Sequence, residues 1–575
     1  MKKAITPRSE LTTVIYSFRR MFYTAGLFSM FINMIGLVPS IYMLQVYDRV
    51  LQSRNETTLL MLTVILIGFY VMQGMLELAR SKLLIRVGAQ LDMKLNDRVF
   101  VASFERNLKR AGGNAGQALG DLTNVRQFLT GNGLFAFFDA PWAPIYLIVI
   151  FLLSPWLGLF AVIASLVLFA LAWLTEISTR KPLAEATQVA IGANNYATNN
   201  LRNAEVIEAM GMLGNLKRRW MEKQLKFLAL QNEASEKAAA ISATTSATRV
   251  AVQSLVLGIG ALLVIEGTLT PGGMIAASIL LGKALGPVQM AIGVWKQLLS
   301  ARAAYHRLED LLDKHPKREE GMDLPKQLGN LLVEGVTAGA PGTQGLILKQ
   351  VGFTVPAGEI VGVIGPSASG KSTLARLLVG VWPAMAGKVR LDGADVFTWN
   401  KEQLGPTVGY LPQDIELFEG TIAENIARFG NVDPDQVVEA AKLAGVHEMI
   451  LRFPNGYDTQ IGDSGTGLSG GQRQRIGLAR AMYGTPSFVV LDEPNSNLDE
   501  HGEAALVSAV QALKQRGTTV LLITHRTSIL GVVDKLLVLA DGAVQFYGPR
   551  DQVLQSLQQR AQQAQQTALA NPGKA

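Results

Sequence analysis

Two short stretches of this chain carry groups suited to phosphoryl chemistry. The first, Gly365-Pro366-Ser367-Ala368-Ser369-Gly370-Lys371-Ser372, is a complete G-x-x-x-x-G-K-S run and is followed by Thr373. Its glycines let backbone N–H groups approach phosphate oxygens, and the helix expected after it presents a positive N-terminus. Lys371 is placed to reach the β- and γ-phosphates of a nucleoside triphosphate, and the Ser372 hydroxyl to ligate Mg²⁺. The second stretch, Phe488-Val489-Val490-Leu491, ends in Asp492 and Glu493. Asp492 would hold Mg²⁺ directly or through water, and Glu493 would orient or deprotonate the attacking water. Two adjacent acids after a strand can equally be a helix cap or a surface pair. The phosphate loop upstream favours the chemical reading.

The elements that must position these groups can be read from the same half of the chain. Residues 358–364 are a buried strand feeding the phosphate loop, and 488–491 and 520–523 read as further buried parallel strands. An acid at the carboxyl end of such a strand lies where α/β sheets bind ligands. This half is therefore an α/β domain.

The first 300 residues have a different character. The chain of 575 residues is 49% hydrophobic and 17% charged, and the shortage of charge falls in long apolar runs near the start. Six runs are long enough to span a bilayer: 24–47, 57–79, 134–153, 156–174, 247–265 and 274–295. The formal charge of +7 fits positive flanks of membrane helices better than nucleic-acid binding. The second and fourth connections are rich in Lys and Arg, the first holds Arg49 and Arg54, and the third and fifth hold none. This asymmetry predicts that both termini are cytoplasmic. The first run is too long for a signal-peptide core and is expected to be retained as a span. There is no cysteine, which excludes disulfides, thiolate metal sites and a cysteine nucleophile.

The two long connections show helical apolar spacing, as at Leu83, Val87, Leu91 and Leu95. Spans two to five are therefore expected to continue as helices beyond the membrane, roughly 37 Å for 25 residues. Turns are expected near Ala111-Gly112-Gly113 and near Met210-Gly211-Met212-Leu213-Gly214. The division predicted is a cytoplasmic segment 1–23, a six-span domain 24–312, a linker 313–329, a nucleotide-binding domain 330–552 and a polar tail 553–575.

About a hundred residues after the phosphate loop stands Leu468-Ser469-Gly470-Gly471-Gln472. The pair, in this order and spacing, resembles the ABC (ATP-binding-cassette) ATPases. The resemblance implies a membrane α-helical, six-span ABC exporter type I transmembrane domain fused to an α/β P-loop NTPase, the ABC cassette, with ATP and Mg²⁺ as cofactors. It also implies roles for further residues. Gln413, in Tyr410-Leu411-Pro412-Gln413, matches the glutamine that touches Mg²⁺ and links to the membrane domain. Ser469 and the N–H groups of its motif would cap the γ-phosphate of ATP held by a second copy. Ser496-Asn497-Leu498-Asp499 matches the loop that crosses the dimer interface, and His525 the switch histidine on the γ-phosphate. Ile461-Gly462-Asp463-Ser464-Gly465 resembles a coupling loop of exporters, with Asp463 where a glutamate is usual. One position departs from the family. Ala340 falls where an aromatic residue usually stacks on adenine, so weaker or less base-selective binding is expected.

A single cassette with six spans implies a homodimer. The segments 40–51 and 138–146 are similar to those of the ABC proteins of bacterial type I secretion systems, closest to the subgroup exporting RTX-type metalloproteases and lipases. That resemblance implies a Gram-negative inner-membrane exporter of unfolded protein. It would work with a periplasmic adaptor (membrane fusion) protein and an outer-membrane channel protein, in contact with membrane lipid and not with nucleic acid. Without cysteine, leader-peptide cleavage by this chain is not expected. An exporter of lipid or small hydrophobic molecules is the alternative. Lys283, nine residues past Met274, is expected at roughly 14 Å along the sixth span, mid-membrane. It either lines the path of an acidic substrate or snorkels; Asp139, beside Pro141 and Trp142, is similarly ambiguous.

Overall fold

The structure, a computed structural model, describes residues 9–109, 115–201, 203–317, 327–343, 345–462, 465, 467–526 and 529–570. The chain divides into two compact units that meet in sequence at Lys317 and Arg318.

The first unit is helical. It opens with α1 (Glu10–Ser17), α2 (Arg19–Ile35) and α3 (Val38–Gln45), then a π-turn at Val46–Val50 and α4 (Leu51–Ser53). The long elements follow: α5 (Glu56–Lys109), α6 (Ala115–Thr130), α7 (Asn132–Asp139), α8 (Ala143–Leu153), α9 (Pro155–Leu201), α10 (Ala204–Ala209), α11 (Leu213–Ile265) and α12 (Pro271–Lys314). Six helical segments are long and apolar enough to cross a membrane. Each contains one of the runs read from the sequence. The 54 residues of α5 would extend about 80 Å, more than twice a bilayer core, so the apolar run continues as helix far past its own end. Beyond that run Leu84, Val87, Leu91 and Leu95 are buried, and Leu83 is only half-buried. The helical stripe was read in the right phase except at its first member. One tip turn is formed by Gly211, whose φ of +63° suits a residue without Cβ, between α10 and α11. The other, 111–113, lies outside the described residues.

Helix α1 has no counterpart in the sequence reading. Leu11 and Phe18 are buried with Val87, Leu91, Ala304 and Leu308 in one cluster. It is pinned by the Arg98–Glu10 ion pair and by a hydrogen bond between the Thr12 and Tyr305 hydroxyls at 2.6 Å.

The second unit is built on strands β1 (Leu331–Ala338), β2 (Leu348–Val355), β3 (Ile360–Ile364), β4 (Ala386–Leu391), β5 (Ala394–Asp395), β6 (Val408–Leu411), β7 (Gly420–Thr421), β8 (Gln460–Ile461), β9 (Phe488–Asp492), β10 (Thr519–Ile523), β11 (Lys535–Ala540) and β12 (Ala543–Pro549). Its helices are α13 (Lys371–Leu378), α14 (Lys401–Leu404), α15 (Ile422–Ile426), α16 (Pro434–Leu443), α17 (His447–Leu451), α18 (Gly470–Met482), α19 (Glu500–Gln515) and α20 (Arg550–Ala570). The central sheet has the order β12-β11-β3-β10-β9-β6, parallel except for β12. Its strands read as unbroken apolar runs because both faces are covered. Val489, Leu491, Val520 and Leu522 join one core, and Phe488, Val490, Leu521 and Ile523 the other. The start of the tail is anchored too, since Val553 on α20 is buried in the first of these cores.

Candidate nucleotide site

Strand register assembles the site. Strand β10 lies between β3 and β9, pairing Ile523 with Val363 on one side and with Asp492 on the other. The phosphate loop after β3, the acids after β9 and His525 after β10 therefore emerge side by side at the carboxyl edge of one sheet. Their sequence separations exceed a hundred residues in places, and the parallel ladder removes that distance.

The loop 365–370 wraps tightly. A Cβ at Gly365 would stand 2.0 Å from the Leu539 carbonyl oxygen, so only glycine fits. Ala368 (φ +64°) and Gly370 (φ +100°) turn the chain into α13. Lys371 is buried, and its Nζ donates to the carbonyls of Gly365 (3.0 Å) and Pro366 (2.8 Å). Burial lowers its pKa, against the pull of Glu493 and Asp492. The ammonium is held by two carbonyls of its own loop.

Asp492 is 2% exposed. Burial raises its pKa, the Ser372 hydroxyl bonded to it opposes that, and the neighbouring Glu493 charge adds to it. Its Oδ1 is buried without a hydrogen-bond partner among the described residues. A buried carboxylate oxygen with a free lone pair, beside a serine hydroxyl, suits a hard divalent cation. Among the described residues no three Asp, Glu, His or Cys side chains cluster as a metal cage. Mg²⁺ takes few protein ligands when phosphates supply the rest, and the Ser372–Asp492 pair fits that need, whereas Gln413 is bonded to Glu493.

Glu493 follows at φ +50°, a left-handed conformation that costs a non-glycine residue about 1–3 kcal/mol. Its N–H bonds to the Ile523 carbonyl at 3.0 Å, which extends the ladder by one residue and turns the side chain out of the sheet. There the carboxylate accepts from Gln413 Nε2 at 3.2 Å and faces His525 Nε2 at 3.1 Å. Gln413, Glu493 and His525 come from three separate loops and form one contact group.

The pentapeptide lies at the start of α18. Ser469 is the N-cap: its Oγ accepts from the Gln472 N–H at 3.2 Å, and its N–H donates to Gln472 Oε1 at 2.8 Å. This reciprocal cap occupies the Gln472 side chain and leaves the Ser469 hydroxyl proton and the first-turn N–H groups for an anion. A Cβ at Gly471 would stand 2.9 Å from the Asn497 carbonyl oxygen. The loop of Ser496, Asn497, Leu498 and Asp499 thus packs directly on the pentapeptide. Asp499 caps α19 through the Gly502 N–H (2.8 Å) and pairs with Arg475 (2.7 Å).

Two partners escaped the sequence reading. Gln474, two residues past the pentapeptide, donates to the Glu493 carbonyl and to Ser496 Oγ, both at 3.2 Å, and accepts from the Asn497 N–H at 2.8 Å. It ties α18 to the acid turn and to the interface loop. Tyr410 and Arg376 are hydrogen-bonded beside Asp492, and burial raises the Tyr410 pKa to about 12. The buried glutamine could have been suspected from its helix face; the Arg376–Tyr410 pair gives no local signal. Ile461, Gly462 and Gly465 are described, but Asp463 and Ser464 lie outside the described residues. Ala340 sits in the turn after β1, where its carbonyl accepts from Thr343 N–H at 3.0 Å.

Known proteins match this arrangement along most of the chain. The ABC transporter family matches residues 348–496, and the ABC transporter transmembrane region matches 22–288. A type I secretion system ATP-binding protein, PrsD of Rhizobium meliloti, is 46% identical over 96% of this chain and 95% of its own length. The toxin RTX-I translocation ATP-binding protein of Actinobacillus pleuropneumoniae is 30% identical over 94% of this chain and 77% of its own length. A bacterial Atm1-family ABC exporter, solved with ATP bound, shares the fold with a TM-score of 0.78 at 23% identity, covering 95% of this chain and 98% of that one.

Proposed function

We propose that this chain, which belongs to the ABC transporter family in its type I secretion branch, exports an RTX-type protease or lipase. At the coarser level it is an ATPase coupled to protein export and a multi-pass membrane protein. The observation that supports the protein-export reading is the 46% identity to a type I secretion protein across nearly the whole of both chains. The similarity of segments 40–51 and 138–146 to protease exporters narrows it further.

In this reading ATP with Mg²⁺ supplies the cleaved phosphoanhydride bond. Lys371 and the loop N–H groups bind the phosphates, and Ser372, Asp492 and Gln413 hold the cation. Glu493 orients the attacking water and receives its proton, with His525 Nε2 at 3.1 Å holding the carboxylate in place. Ser469 and its helix N-terminus face the ATP of a second copy, so two chains make two complete sites. The dimer lies in the inner membrane with both termini cytoplasmic, and it works with a periplasmic adaptor and an outer-membrane channel.

The test is secretion of an RTX protease in a host supplying adaptor and channel. The wild-type chain is expected to export it, and Glu493→Gln to stop both export and ATP turnover while ATP still binds. A wild-type chain that moves no protein but flips lipid would favour the lipid-exporter alternative and end the protein reading.

A further inference from the structure

Gln474 stands two residues past the pentapeptide on α18 and is 1% exposed. An amide buried this deeply is costly unless its donors and its acceptor are used. Its Nε2 donates to the Glu493 carbonyl and to Ser496 Oγ, both at 3.2 Å, and its Oε1 accepts from the Asn497 N–H at 2.8 Å. These partners fix which way the amide faces, because a carbonyl only accepts and a backbone N–H only donates. All three belong to one short segment, 493–497.

That segment is strained where it begins. Glu493 has φ +50°, and a non-glycine residue keeps such a conformation only where its surroundings over-determine it. Strand β10 holds one side, since the Glu493 N–H bonds to the Ile523 carbonyl. Two donors hold the other side: the Ser496 N–H within the turn, at 3.2 Å, and Gln474 from outside it. Pro494 comes next and brings no N–H of its own. The carboxylate itself meets Gln413 and His525, both on loops. Gln474 therefore ties the acid turn to a packed helix, the same helix that Ser469 caps.

We propose that Gln474 is a positioning residue for ATP hydrolysis: it holds the Glu493 backbone in its left-handed turn and thereby aims the carboxylate. Buried as it is, it reaches no bound nucleotide and acts through Glu493. The inference rests on the reading of Glu493 as the group that orients the attacking water. Loss of the amide frees the peptide after Glu493 to rotate, and a reacting group misplaced by about 1 Å slows a reaction about a hundredfold.

The test uses the full-length protein in lipid nanodiscs. Gln474→Met keeps the length of the side chain without its hydrogen bonds, and should lower kcat about 10- to 100-fold with KM and the ATP Kd unchanged. Gln474→Glu keeps an acceptor for Asn497 but, ionised, has no proton for the Glu493 carbonyl. It should show the same loss, which answers the question even if the Met variant does not fold. Asn425→Leu removes an equally buried amide bonded to the backbone of Phe418 and Thr421. It should lower the unfolding temperature and leave kcat of the folded protein near the wild-type value. The decisive readout is the double variant. A residue that acts through Glu493 adds nothing once that acid is gone, so Gln474→Met should not slow the residual turnover of Glu493→Gln further. A kcat near wild type in Gln474→Glu, an equal loss in Asn425→Leu, or a full additional loss in the Glu493→Gln background would overturn the positioning role. Wild-type turnover in Glu493→Gln would instead end the reading of that acid, and the inference with it.

Discussion

The two units hold their charged side chains in different ways. In the nucleotide-binding unit the backbone does most of the holding. Lys371 is anchored by two loop carbonyls, and Asp392 accepts from the N–H groups of Leu328, Gly329 and Asn330 at 2.7–2.9 Å. In the helical unit side chains do it: Arg80 with Asp139 and Ser29, and Arg307 with Asp121 in a two-bond fork. A helix consumes its own N–H and C=O groups, so a charge beside its middle finds only side chains. Loops and strand ends leave those groups free. The exceptions obey the same rule, because they lie at helix ends. Tyr146 donates to the Asn33 carbonyl in the last turn of α2, and Asp48 accepts from the Gly272 N–H in the first turn of α12.

This contrast predicts unequal sensitivity. The largest effect is expected at Arg80, whose removal leaves Asp139 among helices with the Asn33 amide but without its cation. Arg80→Ala should lower the stability of the purified protein by about 3–5 kcal/mol, and Arg80→Met with Asp139→Asn should recover most of it. Thermal unfolding in detergent checks both, and a double variant no better than the single one would remove the pairing argument. A smaller effect is expected at the adenine position. Ala340→Tyr should tighten ATP binding by about 1–3 kcal/mol if stacking is what this chain lacks, measured by nucleotide titration. An unchanged affinity would mean that adenine is held by other means.

The smallest effect is expected at Asp392. Burial pushes its pKa up, but the N–H groups of Gly329, Asn330 and Leu328 and the Asn330 amide outweigh this and leave it below the ordinary value. The carboxylate is exposed, so Asp392→Asn should cost only about 1 kcal/mol. Because the folded pKa is depressed, this contribution is full above the unfolded carboxyl pKa and disappears as pH falls through the folded one. The gap between wild type and variant should therefore close below about pH 4. A gap that persists in acid would show that shape, not charge, holds this turn.

The same contrast explains what could be read from the residues alone. The phosphate loop, the acid pair and the pentapeptide are local motifs, and each lies on the element expected for it. Lys371 and Ser469 even find most of their partners within a few residues. Gln474 and the Arg376–Tyr410 pair were not legible, because their partners are brought by other strands and helices. Asp139 stood out as an ionisable residue at membrane depth. Its partner Arg80, 59 positions earlier, could not be chosen from among the many basic residues of the second connection. Helix α1 was missed because its buried face is short and its packing partners lie on α5 and α12.

The sequence by itself determined the chemistry, the six apolar runs and the order of the two units, since these depend on residue type and on periods of a few residues. Only the tertiary structure decided which charges meet. It set Glu493 between Gln413 and His525 through strand register, and Arg80 against Asp139 through helix packing. Those meetings depend on distances that the chain closes only by folding.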